Sequence, residues 1–277
     1  MIMRILLFYI FLFHTSQGKY FNSTLWSNFV KLEPHAFNIS DIEVSRAGRI
    51  VNGNIAKAGQ FKEFVLMFVR RSTGTVQCGG CLIGTKWVMT AKHCTNSAIS
   101  IDLRFGVINR NFYDQRTYAT GLVFSNIADM SLILLQDQIK TTYLTKPAQL
   151  PSNANNVLAS EVVTACGLGL ENQFTNYVSV YLQWTRLKVM SNAEAERMYG
   201  SDAVNQNIMC TVGSSDVGNS FASTCSGDSG SPVFATINGQ FVVVGIVSFG
   251  TGSCDKGYPT CHVRVDSQLS TISRYIQ

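Results

Sequence analysis

Thr224-Cys-Ser-Gly-Asp-Ser-Gly-Ser-Pro232 sets one hydroxyl side chain, Ser229, directly after an acid and between two glycines. Glycine lets a backbone approach a bound molecule closely, so this is a place where a nucleophile could meet a substrate. Alone, Gly-Asp-Ser-Gly is also an ordinary turn sequence. Two upstream stretches change its weight. Thr90-Ala-Lys-His-Cys94, preceded by Cys78-Gly-Gly80 and Trp87-Val-Met89, delivers a histidine from an apolar run onto a turn that flanking cysteines could staple. Ala128-Asp-Met-Ser-Leu-Ile-Leu-Leu135 sets one acid at the mouth of an apolar strand, where a buried carboxylate can orient an imidazole. A histidine beside a cysteine is usually structural, and an acid before a strand is usually a cap. The three together, in the order His93, Asp129, Ser229, point to nucleophilic catalysis by an activated hydroxyl.

Outward from these motifs the chain reads as short strands. Phe64–Val69, Cys81–Thr90, Ser131–Leu135, Glu161–Thr164, Leu182–Val189 and Phe241–Phe249 are apolar or β-branched runs of strand length. Breaks such as Asn52-Gly-Asn54 and Ile237-Asn-Gly239 separate them. Helix is expected only over Asn192–Tyr199 and in the last dozen residues. The fold class is therefore all-β, as a sandwich or as barrels, and periodicity does not choose between these.

The 277 residues are 46% apolar and only 14% charged, which favours a compact core over disorder. A formal charge of +5 falls short of the dense basic stripe of a nucleic-acid binder. Met1-Ile-Met-Arg4, the apolar run Ile5–Phe13 and His14-Thr-Ser-Gln-Gly18 read as a secretory signal over residues 1–18. The run is shorter than the ~20 residues a spanning helix needs. Residues 19–49 read as a propeptide. They lack cysteine, carry the glycosylation sequons Asn22-Ser-Thr24 and Asn38-Ile-Ser40, and end in Ser45-Arg-Ala-Gly-Arg49 before Ile50-Val51, a processing signature. Eight cysteines (78, 81, 94, 166, 210, 225, 254 and 261) in an oxidising compartment imply disulfides rather than metal ligands.

From Arg49 to its end the chain resembles the chymotrypsin/trypsin-like serine proteases, with the trimmed loops of arthropod members. The matching residues are Arg49-Ile-Val-Asn-Gly53, Cys78-Gly-Gly80, Trp87-Val-Met-Thr-Ala-Lys-His-Cys94, Asp129, Gly167-Leu-Gly169, Gly227-Asp-Ser-Gly230 and Ser248-Phe-Gly250. The resemblance implies two six-stranded antiparallel β-barrels over residues 50–277, a short C-terminal helix, and a secreted serine endopeptidase made as a zymogen. It implies a triad of His93, Asp129 and Ser229, with an oxyanion hole from the Gly227 and Ser229 amides. Cleavage after Arg49 by a trypsin-like protease would free the Ile50 amine to pair with Asp228. With no cysteine in residues 19–49, the propeptide is expected to dissociate. The primary pocket is carried by Ser223 at its base, with Ser248, Phe249, Gly250 and Thr260 on its walls. Trypsin-like members have an acid where Ser223 stands, and Thr260 replaces a common glycine. These point to an apolar P1 residue, medium in size ahead of small, with an aromatic open if Thr260 points aside.

Several positions depart from the family pattern. Lys92 precedes the histidine where a small residue is usual; it would lower the imidazole pKa if held close and do little if it reached solvent. Ser231 replaces a second glycine and would be strained at positive φ. Phe249 replaces the commoner tryptophan. The bridges Cys78–Cys94 and Cys225–Cys254 match the family. Cys81, Cys166, Cys210 and Cys261 do not; Ala195 stands where the usual partner of Cys210 would be. Cys81–Cys166 with Cys210–Cys261 is the favoured one of three pairings. Asp102 and Asp114 are too few for a calcium site, so neither metal nor cofactor is expected. Protein or peptide substrates, no membrane or nucleic-acid partner, and a monomer complete the expectation. The alternative is a non-catalytic homologue acting as a binding protein, favoured by Lys92 and Ser231 and opposed by the intact triad and Arg49.

Overall fold

The computed structural model describes residues 29–32, 53–152, 161–170 and 178–276. Residues 1–18, read as a secretory signal, both sequons, Arg49 and Ile50 lie outside the described residues. Six strands close the first barrel: β3 (Phe64–Arg71), β4 (Gly74–Gly84), β5 (Trp87–Thr90), β6 (Ser100–Phe105), β7 (Gln115–Phe124) and β8 (Ser131–Leu135), in the order β7-β6-β3-β4-β5-β8 with β8 returning to β7. A short leader strand, β1 (Phe29–Lys31), is added outside it on β7. Six more close the second barrel: β9 (Val162–Gly167), β10 (Gln183–Val189), β11 (Ile208–Val212), β12 (Pro232–Ile237), β13 (Gln240–Gly250) and β14 (Thr260–Arg264), in the order β11-β14-β13-β12-β9-β10 with β10 returning to β11. The two-residue strand β2 (Asn54–Ile55) lies on β10. All pairings between these strands are antiparallel, and the barrel alternative holds over the sandwich.

Burial follows the sequence pattern. β3 reads Phe-Val-Leu-Met-Phe-Val with all six side chains buried, the signature of a strand covered on both faces. β10 alternates, keeping Gln183, Thr185, Leu187 and Val189 inside and turning Arg186 outward. The expected single strand Cys81–Thr90 is two, because Thr85-Lys86 turn the chain and Gly84 pairs with Trp87. Aromatic rings lock the barrels together: Phe61, entering β3, stacks on Phe234 of β12 at 6.1 Å and Phe241 of β13 at 5.5 Å.

Helix α1 is one turn, Lys92–Thr95. Helix α2 (Asn192–Tyr199) is where it was expected, opened by a capping box in which Ser191 and Glu194 satisfy each other's backbone amides. A 3-10 turn, Asp266–Gln268, leads into the short C-terminal helix α3 (Leu269–Ile272). Among the described residues no helix is long and apolar enough to cross a membrane.

Cys78–Cys94, Cys225–Cys254 and Cys210–Cys261 are bridged. Cys210 and Cys261 face each other directly across β11 and β14, their Cα atoms 4.0 Å apart. The Cys81–Cys166 bridge is not formed; both are buried thiols. They sit on β4 and β9, strands of different barrels that do not pair, and Cys81 donates to its neighbour Leu82's carbonyl. Burial pushes both thiols well above the ordinary cysteine range.

Candidate active site

The first barrel supplies a histidine and an acid. β5 ends at Thr90, and the α1 turn, anchored by Cys78–Cys94, holds His93 over the barrel mouth. The loop from β7 to β8 carries Asp129. Asp129 accepts three hydrogen bonds: His93 Nδ1 at 2.7 Å, the His93 amide at 2.8 Å and Ser248 Oγ at 2.6 Å. Burial pushes its carboxyl up, but these three donors outweigh that and hold it below the ordinary range. The two oxygens grip ring and backbone of the same residue, so the imidazole is fixed with Nδ1 turned to the acid and Nε2 free for a substrate or nucleophile.

Lys92 neither lies against the imidazole nor runs free into solvent. Its ammonium donates to the Ser125 carbonyl at 3.3 Å and sits 5.7 Å from the Phe124 ring. It ties the histidine turn to the loop that carries Asp129.

The second barrel supplies the serine loop. Ser229 is held through its backbone: its carbonyl accepts from the Gly79 amide at 2.8 Å, and the next amide, Gly230, donates to Val247 at 2.7 Å. Gly227 at φ 92 and Gly230 at φ 82 make the turn in a region that other residues rarely enter. Ser231 is not at positive φ, so the strain expected there is absent. It is fully buried, and a Cβ on Gly79 would fall 2.0 Å from its Oγ, so Gly79 makes the room that Ser231 fills. Among the described residues neither the Gly227 nor the Ser229 amide has an acceptor, and no hydrogen bond links Ser229 Oγ to His93.

Asp228 points away from the cleft and is wholly buried. It accepts from the Gly169 amide at 2.7 Å and the Cys225 amide at 2.9 Å. Burial raises its carboxyl to about 7 against these two bonds, and no cation among the described residues meets it. A Cβ on Gly167 or Gly169 would fall 2.1 Å or 2.6 Å from it, which explains the Gly-Leu-Gly signpost.

Beside Ser229 opens a cleft of about 220 Å³ lined by Ser223, Ser248, Phe249, Gly250 and Thr260. All the pocket residues picked from sequence lie together. Ser223 is buried with its hydroxyl turned onto the Thr224 carbonyl at 3.0 Å. Thr260 does not point aside: its methyl would sit 3.0 Å from a Cβ on Gly250. Tyr199, missed by sequence reasoning, props the wall. Its ring meets Phe249 edge-on at 5.6 Å, and its hydroxyl donates to the Pro259 carbonyl. Thr224, which opens the serine motif, and Tyr258, which no motif flagged, also line the cleft.

The profile of the family described as Trypsin matches residues 50–272. The chain belongs to the trypsin family. The protein is thus a serine endopeptidase acting on protein substrates. It is 29% identical over 248 residues to a protein named collagenase from Hypoderma lineatum, covering 83% of this chain and 88% of that one. The solved structure titled HL collagenase superposes with a TM-score of 0.71 at 27% identity, over 81% of this chain and 97% of the other. An insect relative agrees with the arthropod character of the resemblance.

Proposed function

We propose that this trypsin-family endopeptidase is secreted as a zymogen, is activated by a cut after Arg49, and cleaves proteins beside apolar residues through His93, Asp129 and Ser229. The chain of hydrogen bonds from Ser248 through Asp129 to His93, opening onto the cleft that Ser229 lines, carries the reading. Ser229 Oγ attacks the scissile carbonyl while His93 Nε2 takes its proton. Asp129 stabilises the imidazolium, and His93 then returns the proton to the leaving amine. The Gly227 and Ser229 amides face the oxygen on which charge develops, and each such donor contributes about 3 kcal/mol in comparable sites. Water deacylates Ser229 by the same steps.

Activation answers the position of Asp228. A buried carboxylate without a cation is costly, and a newly freed Ile50 amine would neutralise it and brace the loop that holds the Gly227 and Ser229 amides. Specificity follows from an uncharged floor at Ser223 and from the Thr260 methyl beside Gly250, which shorten and narrow the slot. A medium apolar P1 side chain such as Leu or Met fits it better than Phe or Tyr. The signal-like residues 1–18 and the three bridged cysteine pairs support secretion, with Asn22 and Asn38 as glycosylation sites.

The test is turnover of a peptide panel varied at P1 by protein cut after Arg49, beside a Ser229→Ala control. Cleavage only by the cut wild type, fastest after Leu or Met, is the expected result. A cut wild type with free Ile50 and no turnover would overturn the triad assignment.

A further inference from the structure

β7 bends around the first barrel and changes partners along its length. Gln115–Tyr118 pair with β6 on one edge, and Ala119–Phe124 pair with β8 on the other. Past Tyr118 the edge that faced β6 would therefore be bare, and a bare edge is a template for any extended chain. The leader occupies it. Phe29, Val30 and Lys31 lie opposite Val123, Leu122 and Gly121, and the Leu32 amide donates to the Thr120 carbonyl at 3.0 Å.

Side chains make this pairing specific. Leu32 is buried and joins the barrel's apolar cluster, and Phe29 packs against the same cluster. Gly121 shows the closest fit. A Cβ there would fall 2.0 Å from the tip of the Phe29 ring, and its three nearest neighbours are all atoms of that ring. Gly121 is not at positive φ, so its backbone does not demand glycine. The ring does. A residue of the mature barrel is thus matched in shape to a residue of the leader.

We infer that Phe29–Leu32 is a noncovalent latch: a strand-addition site on β7 that keeps the leader bound after the chain is cut at Arg49. This revises the expectation, drawn from the absence of cysteine, that the leader leaves. The inference rests on the cut at Arg49 proposed above only for its timing. Arg49 lies seventeen residue steps after Leu32, about 55–60 Å when extended. Ile50 can move to Asp228 without drawing the strand from its edge. Main-chain bonds supply affinity in such pairings and alternate side chains supply selectivity. The latched edge is also closed to strands of other chains. It lies on the strand that continues through Phe124 and Ser125, which Lys92 engages, into the Asp129 loop.

The test uses the full chain with residues 45–49 replaced by the recognition sequence of an unrelated site-specific protease, so that severing the leader does not depend on activation. After the cut, native mass spectrometry at tens of micromolar should show the leader still on the protease domain. Leu32→Asp in the leader and Gly121→Val on the edge should each lower retention at least about tenfold, equivalent to 1.4 kcal/mol. Leu32→Asp leaves the mature domain unaltered, so its result stands even if Gly121→Val folds poorly. A leader lost from the cut parent, or kept equally by Leu32→Asp, overturns the latch. Failure of the Arg49 activation reading is seen separately, as a protein cut at Arg49 with free Ile50 but no turnover.

Discussion

The two barrels bring their halves of the site to the cleft in different states. In the first, Asp129 already holds both the ring and the amide of His93, and Lys92 ties their two loops together. In the second, Asp228 is buried without a cation among the described residues, and the Gly227 and Ser229 amides lack acceptors. Thr224 and Thr260 add buried hydroxyls along the pocket that find no partner among the described residues. Buried polar groups normally find partners. The first half is therefore complete as folded, while the second is built around groups that substrate and the freed amine would satisfy. The paired His93 and Asp129 thus come from the first barrel, and the buried Asp228 and the cleft beside Ser229 lie in the second.

Asp129→Asn should break the complete half. It keeps shape but removes the charge that sets the His93 tautomer, and turnover should fall by about 10⁴-fold with little change in melting temperature. A drop under tenfold would show that Ser248 and the backbone bond suffice. Asp228→Asn should break the other half at its activation point: cut protein should lose about 10²–10³-fold in turnover, the scale of a displaced oxyanion donor. Comparable activity in cut and uncut Asp228→Asn is expected, and a retained wild-type rise on cutting would refute the pairing with Ile50. Thr260→Gly should widen the slot and move the P1 preference toward Phe and Tyr by about tenfold, read as a ratio of kcat/KM values. Ser248→Ala joins the halves. It removes one of three donors to Asp129, worth about 1 kcal/mol, and should lower kcat some five-fold without altering the P1 ratio.

A pH titration of the uncut chain's stability sharpens the contrast within the second barrel. Asp228 has a folded pKa of about 7, raised by burial from 3.8, so its contribution is full below pH 3.8 and is lost as pH rises through 7. His262 is wholly buried with Nε2 at 2.8 Å from Thr211 Oγ1, and burial lowers it from 6.5 to about 3. Its contribution is full above pH 6.5 and is lost as pH falls through 3. The two oppose each other between about pH 4 and 6.5. Asp228→Asn should therefore leave a stability that rises with pH across this window, measured by denaturant midpoints. An unchanged profile would show that Asp228 does not titrate there.

Legibility varied with how local the cause was. Ser131–Leu135 was read to the residue because five apolar or small residues between an acid and a polar turn have no other local solution. The helix Asn192–Tyr199 was read at its bounds, and the Ser191–Glu194 capping box that opens it acts within one helical turn. The strand over Cys81–Thr90 hid its turn because Thr85-Lys86 carries no glycine, proline or asparagine. β1 was invisible: Phe-Val-Lys is too short to signal anything, and only the bare edge of β7 makes it a strand. Tyr199 gave no motif signal either, since its role is to meet Phe249 and Pro259, both fifty or more residues away.

By itself the sequence determined the all-β class and the motif order His93, Asp129, Ser229, which depend on residue type and short spacing, while the pocket positions and the bridges Cys78–Cys94 and Cys225–Cys254 were implied by the family resemblance those motifs carry. Tertiary structure alone decided that Cys81 and Cys166 stay thiols, that Ser231 escapes strain by filling the space over Gly79, and that Phe29 closes on Gly121. Each of those outcomes depends on how segments distant along the chain meet or fail to meet. Whether two such segments meet is set by how the barrels close and pack, which no local pattern of residues encodes.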